Sequence, residues 1–201
     1  MSLDNLFAQL KHPNPNLRKR ARQEIAEQRD EKTIPRLMEN LEDEDMVYRR
    51  ASVKALGVIG VDSIPYLVES LASKEDATVR ASCAKALAQV AVNHPDEPFP
   101  QQGIEGLRQG VDDENPVVNL SSVMALGAIG NPALDVLLEA LNTTDNIAVG
   151  VAIVNALGGI NDNLVREKLT QMSNDDFIDP YLKESAVSAL SRLEMVAKYN
   201  S

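Results

Sequence analysis

Residues 45–60, DMVYRRASVKALGVIG, recur in altered form along the whole chain. We number each copy from the residue that corresponds to Leu56, which is position 0. The residues at position 0 are all aliphatic, and they are spaced 31, 31, 39, 31 and 33 residues apart: Ile25, Leu56, Leu87, Leu126, Leu157 and Leu190. A fixed period near thirty is long enough for two helices and indicates a helical solenoid.

Helix start signals occur in register with this period. Position −11 is always Asn or Asp, residue types that cap helix N-termini by accepting a bond from a free backbone N–H: Asn14, Asp45, Asp76, Asn115, Asn146 and Asp179. A proline, well placed at the first helical position, follows in three copies. A shorter apolar-periodic segment precedes each cap. We therefore predict an all-α, right-handed solenoid of six HEAT-like pairs, each with a short helix A and a long helix B.

The period divides the chain without leaving room for a second domain. We predict one HEAT-like domain over residues 1–201, with a proline-rich insertion at 93–102 that lengthens one spacing by eight residues. The predicted repeats are roughly 1–30, 31–60, 61–93, 99–130, 131–161 and 162–199.

Composition narrows the classes of function. The 201 residues are 44% hydrophobic and only 3% aromatic, so small aliphatic side chains must fill the core. A net charge of −10 argues against broad nucleic-acid binding. The charge is uneven, because residues 1–100 hold 14 basic and 16 acidic side chains and residues 101–201 hold 6 and 14. We see no signal peptide and no apolar run near ~20 residues, so we expect a cytoplasmic protein without a membrane span.

The exposed face of the B helices changes character along the chain. A helical wheel places positions −2, −5, −6 and −9 opposite the core, on the inner surface of the stack. This face is basic in the first three copies and apolar in the fourth and fifth, which predicts an interaction site. Its candidate binding residues are Arg50, Lys54, Lys85, Val117, Leu120, Met124, Val151, Asn155 and Tyr181. Two alternatives remain: the cations form an ordinary solvated face, or a phase error of one residue places the apolar side chains in the core.

Other reactive side chains favour structural roles. The arginines at position −7, Arg18, Arg49 and Arg80, resemble anion binders, but pairing with a cap aspartate of the same or the next repeat is the favoured reading. Cys83, the single cysteine, falls on the core arc and is expected to be a buried thiol. The two isolated histidines do not make a metal site, and His94 is only a weak candidate for a proton carrier.

The repeats LEDEDMVYRRASVKALGVIG and LASKEDATVRASCAKALAQV resemble the HEAT-like repeats of phycobilisome lyases. The chain length, the repeat NPVVNLSSVMALGAIG and the proline-rich interruption resemble the F-type subunit of E/F-type phycobilin lyases. This resemblance implies a heterodimer with an E-type subunit that attaches phycocyanobilin to a cysteine of a phycobiliprotein (phycocyanin-type) α subunit. Isomerising members carry a His-Cys pair after Asn. Here Asn93-His94 is followed by Pro95, which argues against an isomerase.

The resemblance also gives the exposed face a chemical role. A bilin is a flat, apolar tetrapyrrole with two propionates, so the apolar row would cover its face and the cations would hold its carboxylates. The bilin would be a substrate rather than a resident cofactor. Two other classes of protein fit the same sequence: a non-catalytic HEAT-repeat adaptor that binds phycobiliproteins or another protein in phycobilisome assembly or turnover, and a purely structural assembly subunit.

Overall fold

The computed structural model describes residues 1–199, and side-chain exposure as far as Met195. Over residues 1–199 it contains α-helices and short 3-10 turns, and no β-strand. The α-helices are α1 Leu3–Gln9, α2 Pro15–Gln28, α3 Thr33–Glu39, α4 Met46–Ile59, α5 Ile64–Ser73, α6 Ala77–Asn93, α7 Gln101–Val111, α8 Pro116–Ile129, α9 Leu134–Thr143, α10 Ile147–Leu157, α11 Asn163–Asn174 and α12 Pro180–Tyr199.

The helices form two layers. The long B helices α2, α4, α6, α8, α10 and α12 pack side by side in chain order, and each also packs against the A helix that precedes it. This arrangement confirms the predicted all-α solenoid of six helix pairs. Among the described helices, none is by itself both long and apolar enough to cross a membrane, and α4 with α5 reaches that length and composition only across a bend of 118°.

The caps explain where the B helices begin. In all six copies the Asn or Asp side chain at position −11 accepts a hydrogen bond from the backbone N–H two residues later, at 2.6–3.0 Å. Each such cap stabilises its helix by about 1 kcal/mol. The six predicted helix starts are therefore confirmed at the level of individual bonds.

The core lies between the two layers and is filled by position 0. In the first five copies this side chain is fully buried, as predicted for Leu56, Leu87, Leu126 and Leu157. In the sixth copy Leu190 is only half-buried. The reason is its place in the stack, because α12 is the last B helix and has a neighbouring B helix on one side only.

The arginines at position −7 bind backbone carbonyls, and no ion pair among residues 1–195 joins them to the cap aspartates as predicted. The cap Asp76 is influenced by them only at longer range: after the bonds from Thr78, the charge of Arg49 contributes to its lowered pKa. Arg49 Nη1 donates to the carbonyls of Asp43 and Glu44 at 2.6 and 2.9 Å. Arg18 and Arg80 make the same two bonds to the carbonyls five and six residues earlier. These carbonyls lie in the turn between helices A and B, beyond the reach of helical hydrogen bonds, and a guanidinium satisfies two of them at once.

Arg80 also joins two repeats through an ion pair. Its Nε and Nη2 donate to the two carboxylate oxygens of Asp113, at 2.7 and 2.9 Å, and both side chains are largely buried. The bonds from Arg80 hold the pKa of Asp113 below its ordinary value. This carboxylate precedes the cap Asn115 by two residues, so the bridge connects α6 to the turn that begins α8.

We expect Asp113→Asn to lower the free energy of unfolding at neutral pH by about 1 kcal/mol, because a neutral amide accepts a weaker bond from Arg80. The pKa of Asp113 is lower in the folded than in the unfolded chain. Its charge therefore stabilises the fold above about pH 4 and loses this effect as the pH falls through the folded pKa. Urea unfolding of both proteins between pH 3 and 7 measures this. A difference that does not shrink in acid would contradict the prediction.

Two glycines end α4 and α8 in a backbone conformation that other residues rarely adopt. Gly60 has a φ of +87° and Gly130 a φ of +78°. A Cβ at Gly60 would lie 2.7 Å from His94 Nε2, whereas a Cβ at Gly130 would have no neighbour within 4 Å. The pair therefore separates backbone strain from contact with the histidine ring.

We expect Gly130→Ala to cost about 1–3 kcal/mol of stability through strain alone. Gly60→Ala should cost more, because it also displaces the His94 ring from the Val58 carbonyl, 3.2 Å from Nε2. Urea unfolding midpoints measure both costs. Equal losses in the two variants would show that the His94 ring does not pack against this turn in solution.

Candidate functional site

A groove of about 820 Å³ crosses four consecutive B helices, α2, α4, α6 and α8. Six of the 20 basic residues of the chain line it: Arg18, Arg22, Arg49, Arg50, Lys54 and Lys85. Its lining, all within the described residues, includes none of the 30 acidic residues. We call it the basic groove. Positive charge is thus concentrated at one place in a chain whose net charge is −10.

Most of these cations have no partner within the protein. Arg18 and Arg49 bind the turn carbonyls described above. The other four, Arg22, Arg50, Lys54 and Lys85, form no ion pair or side-chain hydrogen bond within residues 1–195. Arg22 is half-buried, and its desolvation, together with the nearby charge of Arg18, lowers its pKa. An anion in the groove would relieve this unfavourable environment.

The wall of the groove also has an apolar part. Val47, Val92 and Met124 line it with 40%, 58% and 71% of their surface exposed, and Ala88 and Ala128 lie beside them. Apolar side chains of this size and exposure, clustered in a concave surface, are typical of a binding site. The basic groove therefore combines unpaired cations with a surface that favours an apolar ligand.

The structure divides the predicted binding residues between two places. Arg50, Lys54, Lys85 and Met124 all line the basic groove. Val151, Asn155 and Tyr181 line a second groove of about 670 Å³ between α10 and α12. Val117, 54% exposed, and Leu120 belong to neither lining. The predicted exposed face is thus divided between two grooves, four of its nine candidate residues in the first and three in the second.

Several positions are more buried than the helical wheel predicts. Leu120 and Val151, at position −6, are half-buried rather than fully exposed. At position −5, Ala51, Ser82 and Ser121 are buried. Neighbouring B helices pack side by side in this stack, whereas the wheel considers one helix in isolation. Met124 and Val117 are nevertheless exposed, so a phase error of the whole wheel does not apply.

Arg22, Val47 and Val92 line the groove but are not among the predicted binding residues. Arg22 occupies position −3, which the wheel assigns to the core, and a charged residue at a core position was the available signal. Val47, at position −9, lies on the predicted exposed face, which in this copy also carries Arg50 and Lys54. Val92 lies beyond the repeated pattern, in the extended last turn of α6, so the period gave no indication of it.

His94 and Cys83 occupy structural positions. His94 Nδ1 lies 3.1 Å from Glu97 Oε1 and its Nε2 lies 3.2 Å from the Val58 carbonyl oxygen, so the ring fastens the loop 94–100 to α4. It does not line either groove. Cys83 is fully buried, as predicted, and burial raises the pKa of its thiol to about 12. The thiol is therefore protonated at neutral pH and unsuited to nucleophilic attack.

Comparison with known proteins gives the chain a family. A description of HEAT repeats matches residues 3–88 and 104–191. The chain is 49% identical over 199 residues to an uncharacterized phycocyanin operon protein Z of Pseudanabaena tenuis (strain PCC 7409), which covers 99% of this chain and 98% of that protein. It is 36% identical over 168 residues to the bilin biosynthesis protein CpeZ of Synechococcus sp. (strain WH8020), covering 81% and 90%.

A solved structure agrees with the fold. The complex of CpcE and CpcF of phycocyanin lyase from Nostoc sp. PCC7120 contains a chain with a TM-score of 0.51 and 20% identity, covering 77% of this chain and 96% of that one. At this identity the likeness concerns the fold alone. Taken with the repeat match and the two relatives, it leads to one conclusion: the chain belongs to the HEAT-repeat family, in a group with phycocyanin operon protein Z and the bilin biosynthesis protein CpeZ.

Proposed function

We propose that this chain handles a bilin in its basic groove, as one subunit of a heterodimeric phycobilin lyase. With an E-type partner it attaches phycocyanobilin to a cysteine of a phycocyanin-type α subunit. The observation that carries the proposal is the basic groove, in which four unpaired cations lie beside an exposed apolar wall. The relationship to CpeZ, a bilin biosynthesis protein, supports it.

The groove matches the chemistry of a bilin in two respects. Lys54 and Lys85 are exposed at equivalent positions of adjacent helices, α4 and α6, so two ammonium groups are available for the two propionates. Arg50 lies on the same helix as Lys54, and its guanidinium group can donate two parallel hydrogen bonds to a carboxylate. The apolar side chains of the wall, Met124 foremost, would cover a face of the tetrapyrrole and remove it from water.

Under this proposal the chain supplies binding and orientation to the reaction. The thiolate of the acceptor cysteine adds to an exocyclic carbon–carbon double bond of the bilin. A carbon–sulfur bond forms, a proton is taken up at the other carbon, and no oxidant is needed. Holding the bilin in one orientation toward the thiol accelerates such an addition by raising the effective concentration of the reactants. The cations keep the propionates at the protein surface during the transfer.

Co-expression tests the proposal directly. This chain, an E-type subunit, a phycocyanin α subunit and the enzymes that make phycocyanobilin are produced together, and the acceptor is examined for covalently bound, fluorescent bilin after denaturing electrophoresis. We expect product only when both subunits are present. Titration of the purified chain with phycocyanobilin, followed by absorbance, tests binding separately.

The two readouts distinguish the proposal from the alternative. If the chain binds bilin but no transfer occurs, the proposal of a bilin site in the basic groove stands and the proposal of a lyase reaction is contradicted. The absence of both bilin binding and bilin transfer would overturn the proposal. That result would favour a HEAT-repeat adaptor that contacts phycobiliproteins without touching the chromophore.

A further inference from the structure

The loop between α11 and α12 presents a phenylalanine ring to solvent. The chain has three phenylalanines. Phe7 is buried and Phe99 packs against the core, whereas Phe177 is 99% exposed. A large aromatic side chain without any cover is unusual on a protein with so few aromatic residues, and aromatic rings dominate the energetics of protein interfaces.

Contacts made by the residues on both sides of Phe177 fix the loop conformation that exposes its ring. The carboxylate of Asp175 accepts a bond from the backbone N–H of Phe177 at 2.9 Å. Asp176 pairs with Lys183 of α12 at 2.7 Å, and Ile178 packs against the core. Contacts on both sides therefore hold the backbone while the ring points away from the protein. A side chain presented in this way loses little conformational freedom when it binds.

The surroundings of Phe177 are acidic. Asp175, Asp176 and Asp179 lie within two residues of it, and Lys183, the nearby cation, is already paired. We call this segment, residues 175–179, the Phe177 loop. Its partner should offer an apolar surface for the ring and unpaired positive charge around it.

The basic groove of the same chain has both properties. It carries unpaired cations, its lining has no acidic side chain, and Val92 and Met124 give it an apolar wall. The loop cannot reach the groove of its own molecule without unfolding, because it precedes α12 and α10 lies between α12 and the last groove helix, α8. The complementary surfaces can meet only between two molecules.

We propose that the Phe177 loop of one molecule docks in the basic groove of a second copy of this chain. The contact is heterologous, so each molecule that uses its loop still offers its groove, and short head-to-tail chains follow. The ring packs on the apolar wall, and the aspartates approach Lys54 and Lys85. The inference depends on the groove's charge and shape and not on the identity of its small-molecule ligand.

Sedimentation equilibrium of the full chain tests self-association. We expect the average mass to rise above the 21.9 kDa of one chain as concentration increases, and to fall again in concentrated salt, which screens exposed charges. Phe177→Ala should weaken association by more than about tenfold, as loss of an aromatic anchor does. The control is Tyr66→Ala, which removes another exposed aromatic from α5 and should change nothing.

A mixing experiment makes the test specific. Phe177→Ala has an intact groove, and the double variant Lys54→Glu/Lys85→Glu has an intact loop, so each alone should remain monomeric. Mixed, they can form one loop-in-groove contact and no more, which gives a finite dimer of twice the chain mass. A mixture that stays monomeric, a wild type that is monomeric throughout, or a Phe177→Ala variant that associates like wild type would each overturn the proposal.

Measurements of bilin binding and bilin transfer distinguish this proposal from the proposed function. Phe177→Ala should retain wild-type bilin binding and transfer, because the ring is not part of the basic groove. Phycocyanobilin should dissociate the head-to-tail chains by occupying the groove. If Lys54→Glu/Lys85→Glu abolishes bilin binding, so that the bilin does occupy the groove, self-association that persists in saturating bilin would place the docking site elsewhere and overturn the inference.

Discussion

Reversing Lys54 and Lys85 to glutamate is expected to reduce bilin transfer by at least about a hundredfold, since each charge-assisted hydrogen bond is worth roughly 1.5–3 kcal/mol. Both side chains line the basic groove and are exposed, so their replacement leaves the core unchanged. The new carboxylates would repel the propionates. The rate of covalent product formation and the absorbance change on bilin binding should fall together, at an unchanged unfolding midpoint.

A charge-matched control is available in the same chain. Lys32→Glu/Lys168→Glu makes the same change in net charge at positions outside the basic groove and should keep wild-type transfer. Met124→Asp provides a second test, because it places a charge in the apolar wall without removing a cation. If transfer survives both groove variants, the bilin does not bind in this groove.

Leu126→Ala is expected to lower the free energy of unfolding by about 2–5 kcal/mol, the usual cost of truncating a fully buried leucine. Leu126 lies at position 0 of α8, a helix that packs against α6 on one side and α10 on the other. The cavity would thus open in the middle of the stack, where neighbouring helices cannot easily collapse into it. Urea unfolding followed by circular dichroism measures the loss.

Met124→Ala is the matched control for that substitution. The side chain lies two residues earlier on the same helix and is 71% exposed, so its truncation should change stability by less than about 0.5 kcal/mol. A loss of similar size for both variants would mean that position 0 does not define the core.

The features that could be predicted from the sequence are those set by local chemistry. A cap at position −11 needs only the residue type and the backbone that follows it, and all six caps form. The buried residues at position 0 follow from the same period. Lys54, Lys85 and Met124 were placed on one exposed face by the same period, and they line one groove.

What could not be predicted depends on neighbouring helices. Position −5 is buried in a stack whose B helices pack side by side, and the residue types Ala51 and Ser82 do not indicate this within their own repeat. Arg22 lines the groove from position −3, as Val53 does in the next copy, although the wheel assigns this position to the core. A helical wheel also cannot predict the division into two grooves, because that division depends on the relative positions of consecutive helices.

The arginines at position −7 bear on how the protein is made. Each closes a loop of only five or six residues onto the turn before its own helix, and so short a closure costs little entropy. A repeat with this arginine can order its turn before the next repeat exists. Copies one to three have it. In copy four Asn119 makes one such bond, to the Asp113 carbonyl at 3.3 Å, and Gly150 and Lys183 occupy the position in copies five and six. Because the N-terminal repeats are synthesised first, we expect the repeats with this arginine to order early, so that the C-terminal repeats can pack on them.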